Sequence, residues 1–255
     1  MPSQIKLYTA GTPNGQKVNI CLEELGLDYE VHKIEIAKNV QKEPWFLEIN
    51  PNGRIPAIVD EGVNPPKRVF EGGAILLYLT ARYDNGHKLS FPYDSSEYWE
   101  VVEWVMWMQS GIGPMQGQAN HFHRYAPERI EYAVGRYQTE TKRLYQVLED
   151  RLEAQEGKGQ GRLWAVGGKY TIADLACFSW VEWHQWAGVP LDSFPNIQKW
   201  KMAIESRPAT EKGLNVPEKF ELREAMKTKD GEAEYEKHHS NWVMQGQKAD
   251  QEKHK

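Results

Sequence analysis

The sequence predicts an α/β domain with a small mixed sheet and helices on both faces, followed by an all-helical domain. Three observations carry this. Strand and helix signals alternate over the first third of the chain, strand signals disappear from Ser95 onward, and a polar stretch with Gly86 and Pro92 lies between. The expected divisions are 1–84 for the sheet domain, 85–94 for a linker, 95–212 for the helical domain and 213–255 for a charged tail.

Ile5, Leu7 and Thr9 share one parity and precede the turn Gly11-Thr12-Pro13-Asn14-Gly15. Val18, Cys21, Leu22 and Leu25 then recur at helical spacing, and Gly26 is a natural stop. Tyr29, Val31 and Ile34 read as a second strand, and Pro44-Trp45-Phe46-Leu47 as a short helix. After the turn Asn50-Pro51-Asn52-Gly53, Ile55 through Val59 reads as a third strand, with Pro56 at its start, where a missing N–H does little harm. Arg68-Val69-Phe70 follows as a short strand, and Gly72 and Gly73 open an apolar helix through Leu79. The order β-α-β-α-β-β-α joins a crossover unit to an antiparallel hairpin.

In the second domain, Glu97 to Met108 carries apolar residues on nearly all faces, which predicts a buried helix that Gly111, Gly113 and Pro114 end or kink. Ile130 to Glu153 is a long amphipathic helix. Thr171-Ile172-Ala173-Asp174 has the pattern of a reciprocal helix cap, so Asp174 is structural rather than catalytic. Asn196 to Ser206 forms a further helix, closed by Pro208. Beyond Gly213 the chain is charged, apart from residues such as Phe220 and Trp242, and reads as partly helical and peripheral.

Composition narrows the function classes. The 255 residues carry a formal net charge of −5 with both signs interspersed, which supplies no attraction for nucleic acid or an anionic membrane. No apolar run approaches the ~20 residues of a membrane span, and Met-Pro-Ser-Gln shows no signal-peptide pattern. Cys21 and Cys177 form no Cys-x-x-Cys pair, so a reduced cytoplasmic protein with two buried thiols is expected. The histidines lack ligand spacing, and no metal is expected. Ten Trp and twelve Tyr suit pockets and subunit interfaces.

Three segments, Leu7 to Gly15, Asn50 to Ile58 and Phe70 to Ile75, fall in the order used by glutathione transferases, whose first domain is thioredoxin-like. The Thr12-Pro13-Asn14-Gly15 turn resembles the branch of bacterial disulfide-reducing and fungal nitrogen-regulator-like members. Gly113-Pro114-Met115, Asn120-His121-Phe122 and Arg136-Tyr137-Gln138 are similar to the same branch, so the resemblance covers roughly residues 4 to 212.

The resemblance implies glutathione as co-substrate and a homodimer acting on a small hydrophobic electrophile or a disulfide. By local sequence alone Thr12 and Asn14 are a turn and a helix cap. The resemblance makes Asn14, and second to it Thr12, donors to the glutathione thiolate. Tyr8 lies inside the strand, before the turn, which points to packing. The resemblance also implies that Ile55, ahead of a cis Pro56, pairs with the peptide. Glu71 then receives the γ-glutamyl ammonium, and Gly72 its carboxylate through a backbone N–H at a helix start. Gln41 and Arg54 match further glutathione contacts, and Arg136 one contributed across the dimer; for these three a solvated surface role is the alternative. The sequence departs from the family pattern at Gly72, where serine is usual. Between the domains, Met106, His121 and Phe122 are expected at an electrophile pocket, although Met106, Trp107 and Met108 also read as core. No cysteine occupies the turn after the first strand, so any disulfide reduction would draw its thiols from two glutathione molecules.

Two alternatives to the enzyme remain. One is a glutathione-binding regulator with little turnover; no Asn-rich arm of the kind some such regulators carry precedes Ile5. The other is an interaction module like those attached to translation factors, which sit in longer chains.

Overall fold

The computed structural model describes residues 4–156, 163–239, 246 and 248. Trp242 lies outside them. Strand β1 (Ile5–Thr9) pairs in parallel with β2 (Tyr29–Lys33) and antiparallel with β3 (Ala57–Asp60), which pairs antiparallel with β4 (Lys67–Phe70). The order β2-β1-β3-β4 is a four-stranded mixed sheet, as the alternating signals predict. β3 begins two residues later than the sequence pattern suggests, because Pro56 has no N–H to give the ladder.

Strand parity divides the core. Ile5 and Leu7 pack with α1 (Pro13–Leu25) and α3 (Gly72–Tyr83) in the main core, together with Val18, Cys21, Leu22, Ile75 and Leu79. Tyr8 faces the other way, onto Phe46 of α2 (Pro44–Leu47), Ile34 and Ala57. Thr12 caps α1, accepting from the Gly15 N–H at 3.2 Å, and Gly26 ends it at φ 66°, a left-handed conformation that glycine adopts without steric cost.

The helical half begins with α4 (Ser96–Trp107). Gly111 and Gly113 do not stop the chain there. A wide π-turn at Met108–Ile112 carries it into α5 (Gly113–Asn120), and a second at His121–Tyr125 closes the run. α4 is not buried all round. Val101 and Val105 face the core, whereas Trp99 is 50% and Met106 46% exposed. The aromatic load on this helix is therefore divided between core and surface.

α7 (Ile172–Val181), in which every residue is buried, is the centre of this half, and α6 (Glu131–Glu156) packs against α5. Asp174 completes the predicted reciprocal cap: its carboxylate accepts from the Thr171 N–H at 3.0 Å. The same carboxylate accepts from the Ala165 N–H at 2.8 Å and from Trp200 Nε1 at 2.9 Å, so one buried group ties a loop and two helices together. α8 (Pro195–Glu205) starts against Glu149 of α6, whose carboxylate accepts from the Asn196 and Ile197 N–H groups at 2.8 and 2.9 Å.

α9 (Pro208–Leu214), α10 (Leu222–Ala225) and α11 (Lys229–His239) complete the described chain. The region after Gly213 is not merely peripheral. Leu222 is buried with Trp183 and Trp186, and Phe220, Met226 and Tyr235 pack against them. Its apolar residues are few and widely spaced, so sequence periodicity does not reveal this packing.

Asp174→Ala should destabilise the fold by about 3 kcal/mol, since it strips four buried donors, the Thr171 hydroxyl among them, of their partner. A denaturation midpoint close to wild type would contradict this role.

Candidate functional site

Helix α1 places the first part of the site. Its opening turn forms one wall of a cleft of about 1450 Å³, between the sheet and the helical half. Thr12 and Asn14 both line it. The Thr12 oxygen is occupied in capping, which leaves its hydroxyl hydrogen free to donate. Asn14 Oδ1 accepts from Lys17 Nζ at 2.8 Å, and no protein partner for Asn14 Nδ2 occurs among the described residues.

Lys17 is a residue that the sequence reading passed over. It is completely buried, and its ammonium also donates to Gln109 Oε1 at 2.9 Å and lies 3.8 Å from Met108 Sδ. Burial lowers its pKa to about 7, with the nearby Cys177 and Glu71 opposing the shift. The signal in the sequence was a lysine inside an otherwise core-facing turn of helix, yet its partner Gln109 lies 92 residues away.

The second wall comes from residues 50–56 and 71–72. Asn50, Asn52, Arg54, Ile55 and Pro56 all line the cleft, and the Ile55–Pro56 peptide is cis. Asn50 holds this loop by donating from Nδ2 to the Arg54 carbonyl at 2.7 Å. Glu71 caps α3 with φ 71°, a left-handed backbone that a residue other than glycine adopts at a cost of order 1–3 kcal/mol. It delivers the α3 N-terminus, beginning at Gly72, to the cleft. Two helix N-termini, α1 and α3, thus face one space, and both favour an anion there.

A Cβ built at Gly72 would stand 3.0 Å from Lys17 Cδ, so a side chain there would ask the lysine stem to shift by a few tenths of an ångström. Gln41 is buried at the cleft edge, with Nε2 reaching the Ile36 carbonyl at 3.4 Å and Oε1 lacking a partner among the described residues.

The helical half closes the other side with Gly113, Gly117, Asn120, His121, Phe122 and Trp180. Burial lowers the His121 pKa, which keeps the ring neutral near pH 7. Two expected residues are not brought here. Met106 stands on the exposed face of α4, because helix periodicity turns Val105 and not its neighbour toward the core, and it does not line the cleft. Arg136 also lies outside the cleft, half-exposed on α6 and 4.0 Å from Glu140.

The chain after α9 forms an outer rim. Glu218, Lys219, Phe220, Glu221, Tyr235 and His239 all reach the cleft. α11 is held by Arg124, whose buried guanidinium donates to Glu232 at 2.5 Å, to Glu236 at 3.1 Å and to the Trp186 carbonyl at 3.1 Å. Tyr235 packs edge-on against Trp186, and Trp186 donates to the Tyr125 hydroxyl at 2.6 Å. Among the described residues, no group of three His, Cys, Asp or Glu side chains could hold a metal ion, and no helix is long and apolar enough to cross a membrane.

A mixed four-stranded sheet joined to a helical domain, with two helix N-termini converging at the junction, describes a class of protein that binds an anionic ligand between two unlike halves. Residues 3–81 match the glutathione S-transferase N-terminal domain and residues 105–208 the C-terminal domain. The chain is 42% identical over 213 residues to the disulfide-bond oxidoreductase YfcG of Escherichia coli, covering 82% of this chain and 94% of that protein. A glutathione transferase homologue from Lodderomyces elongisporus, solved with two glutathione molecules per subunit, is similar at TM-score 0.80 and 44% identity, covering 84% of this chain and 98% of the other. The nitrogen regulation fragment of the yeast prion protein Ure2p is similar at TM-score 0.79 and 34% identity, covering 84% and 97%. The chain belongs to the glutathione S-transferase family.

Arg124→Leu should loosen α11, because Glu232 and Glu236 lose their shared cation. Hydrogen exchange over residues 229–239 should rise at least ~10-fold, with little change in α7. Unchanged protection there would show that the aromatic contacts alone hold the helix.

Proposed function

We propose that this protein binds glutathione in the cleft, ionises its thiol at the α1 turn, and uses the thiolate to reduce disulfides or attack small hydrophobic electrophiles. The single observation that carries the reading is the convergence of the Asn14 amide and two helix N-termini on one cleft. A free thiol titrates near ~8.5, so only a few per cent is thiolate at neutral pH. Each unit of depression takes about 1.4 kcal/mol of preference for the anion, which one or two oriented donors and a helix N-terminus supply.

The remaining walls suit the rest of the tripeptide. Glu71 receives the γ-glutamyl ammonium, and the Gly72 N–H its carboxylate. Ile55 offers its backbone to the peptide next to Pro56, while Gln41 and Arg54 stand where the glycine carboxylate ends. Thr12 assists Asn14 as a second donor to sulfur. His121 and Phe122 border the second substrate. The cleft exceeds the roughly 300–1,000 Å³ of an ordinary small-molecule pocket, so it has room for glutathione and a second molecule together.

For disulfide reduction, one glutathione thiolate attacks a substrate sulfur and the substrate S–S bond breaks, releasing one thiolate and leaving a mixed disulfide. A second glutathione thiolate then attacks the glutathione sulfur of that species and releases the other substrate thiolate with glutathione disulfide. The names and contents of the relatives support this reading: a disulfide-bond oxidoreductase and a homologue holding two glutathione molecules per subunit. The protein's own thiols are poor candidates. Cys21 and Cys177 are fully buried, and burial pushes both far above the usual thiol range.

We place the protein in the cytoplasm as a homodimer, in which exposed Arg136 serves the site of a second copy. The second reading, a glutathione-binding regulator with little turnover, is favoured by the similarity to the Ure2p fragment.

Glutathione-dependent reduction of a model disulfide separates the two readings. Turnover should fall ~100-fold or more in Asn14→Ala and persist in Cys21→Ser, Cys177→Ser. Tight glutathione binding without turnover would favour the regulator instead, and loss of turnover in the cysteine variant would contradict the two-glutathione route.

A further inference from the structure

We infer that Lys17 is a positioning residue of the thiol-activating site: its ammonium fixes the orientation of the Asn14 amide and places a positive charge directly behind it. The inference rests on the proposed role of Asn14 and deepens it.

The geometry begins with the amide. An asparagine side chain presents an acceptor on one side and two donors on the other, and only its partners decide which faces outward. As an ammonium, Lys17 can only donate. With Oδ1 held by Nζ at 2.8 Å, the amide nitrogen is turned away from the lysine, at a residue that lines the cleft. Were the amide to flip, an N–H would face an ammonium, and a buried cation would lose an acceptor. The flip that makes Asn14 useful to a thiolate is therefore the one that Lys17 enforces.

Among the described residues, no carboxylate contacts the charge. The partners of Nζ are Asn14 Oδ1, Gln109 Oε1 and Met108 Sδ, all neutral. The titratable groups that face it are Glu71, at the start of α3, and Cys177, on α7; both oppose the downward shift that burial imposes on Lys17. Burial keeps the Cys177 thiol protonated near neutral pH, which leaves Glu71 as the one carboxylate among them. An ammonium this poorly compensated is costly to bury and gains when an anion arrives nearby. A glutathione thiolate at Asn14 is such an anion.

A merely structural lysine would behave differently under substitution. Lys17→Met keeps the unbranched stem and removes the charge. Its stability signature follows from linkage. The folded-state pKa lies below the unfolded value, so between about 7 and 10.5 the unfolded chain binds the extra proton, and wild-type stability rises with pH across that window. Lys17→Met should remove that rise and melt no lower than wild type at neutral pH.

The test compares wild type, Lys17→Met and Asn14→Ala in three readouts: ultraviolet titration of the bound glutathione thiol, the split of kcat from KM, and thermal melting. We expect the bound thiol's pKa to rise by about one unit or more in Lys17→Met, with kcat at neutral pH falling ~10-fold or more and the glutathione KM changing less. A wild-type thiol pKa in Lys17→Met beside a raised one in Asn14→Ala would overturn the role of Lys17 and leave that of Asn14 standing. A wild-type thiol pKa in Asn14→Ala would overturn both. If Lys17→Met does not fold, Lys17→Gln, which keeps a neutral donor for Asn14, is measured in its place. A thiol pKa and kcat unchanged there would overturn the need for the charge.

Discussion

Helix α1 is buried on almost every side, and the rest of the molecule is arranged around that constraint. It packs between the sheet and helices α3, α7 and α9, so the polar side chains it carries must find partners inside the protein. Asn19 donates to the carbonyls of Gly213 and Val216 and accepts from the Thr9 hydroxyl. Gln16 accepts from Trp183 Nε1 at 2.8 Å. Glu24 takes a two-pronged contact from Arg207 at 2.6 and 2.9 Å, and these partners hold its carboxyl below the usual range against the effect of burial. Apart from the Thr9 contact, each of these bonds joins the first domain to a segment beyond residue 180. The α1 N-terminus is consequently fixed relative to both halves, which is what a site built at their junction requires.

The same constraint explains the electrostatic character of the cleft. Neither helix end is satisfied by a protein anion: α1 is capped by a neutral threonine, and α3 opens behind Glu71 with no side-chain cap bond. Strain at Glu71 is compatible with this, since the residue is held in a left-handed conformation just where the chain must present both a carboxylate and the following N–H groups. Around this rigid floor the helical half supplies aromatic and amide surface, and the segment from 218 to 239 supplies a rim clamped by Arg124. In the proposed function the floor takes glutathione and the rim borders the second substrate, so variation of the rim would change that substrate while leaving the α1 turn in place.

Much of this was legible in the sequence because it is local. Strand parity, Gly26 as a helix stop and the Thr171–Asp174 cap each depend on residues within a few positions, and the structure has all of them. The residues expected at the first-domain site, apart from Gln41, lie in three short motifs for the same reason, and Thr12, Asn14, Gln41, Arg54, Ile55, Pro56, Glu71 and Gly72 line one cleft. What was missed is non-local. The burial of Lys17 depends on Gln109 and Met108 from the second domain, and a lysine in a helix reads as surface unless those are known. Met106 was misplaced because a run crowded with Trp, Val and Met hides which face is inward. The rim went unseen because its anchors, Leu222 and Tyr235, are isolated among charges, and its clamp pairs Arg124 with carboxylates more than a hundred residues on.

A crystal structure of the protein with glutathione tests the central claim most directly. The account predicts the sulfur within about 3.5 Å of Asn14 Nδ2, with Oδ1 still turned to Lys17 and the γ-glutamyl group between Glu71 and the α3 N-terminus. A tripeptide lying elsewhere in the cleft, with its sulfur away from the α1 turn, would contradict it.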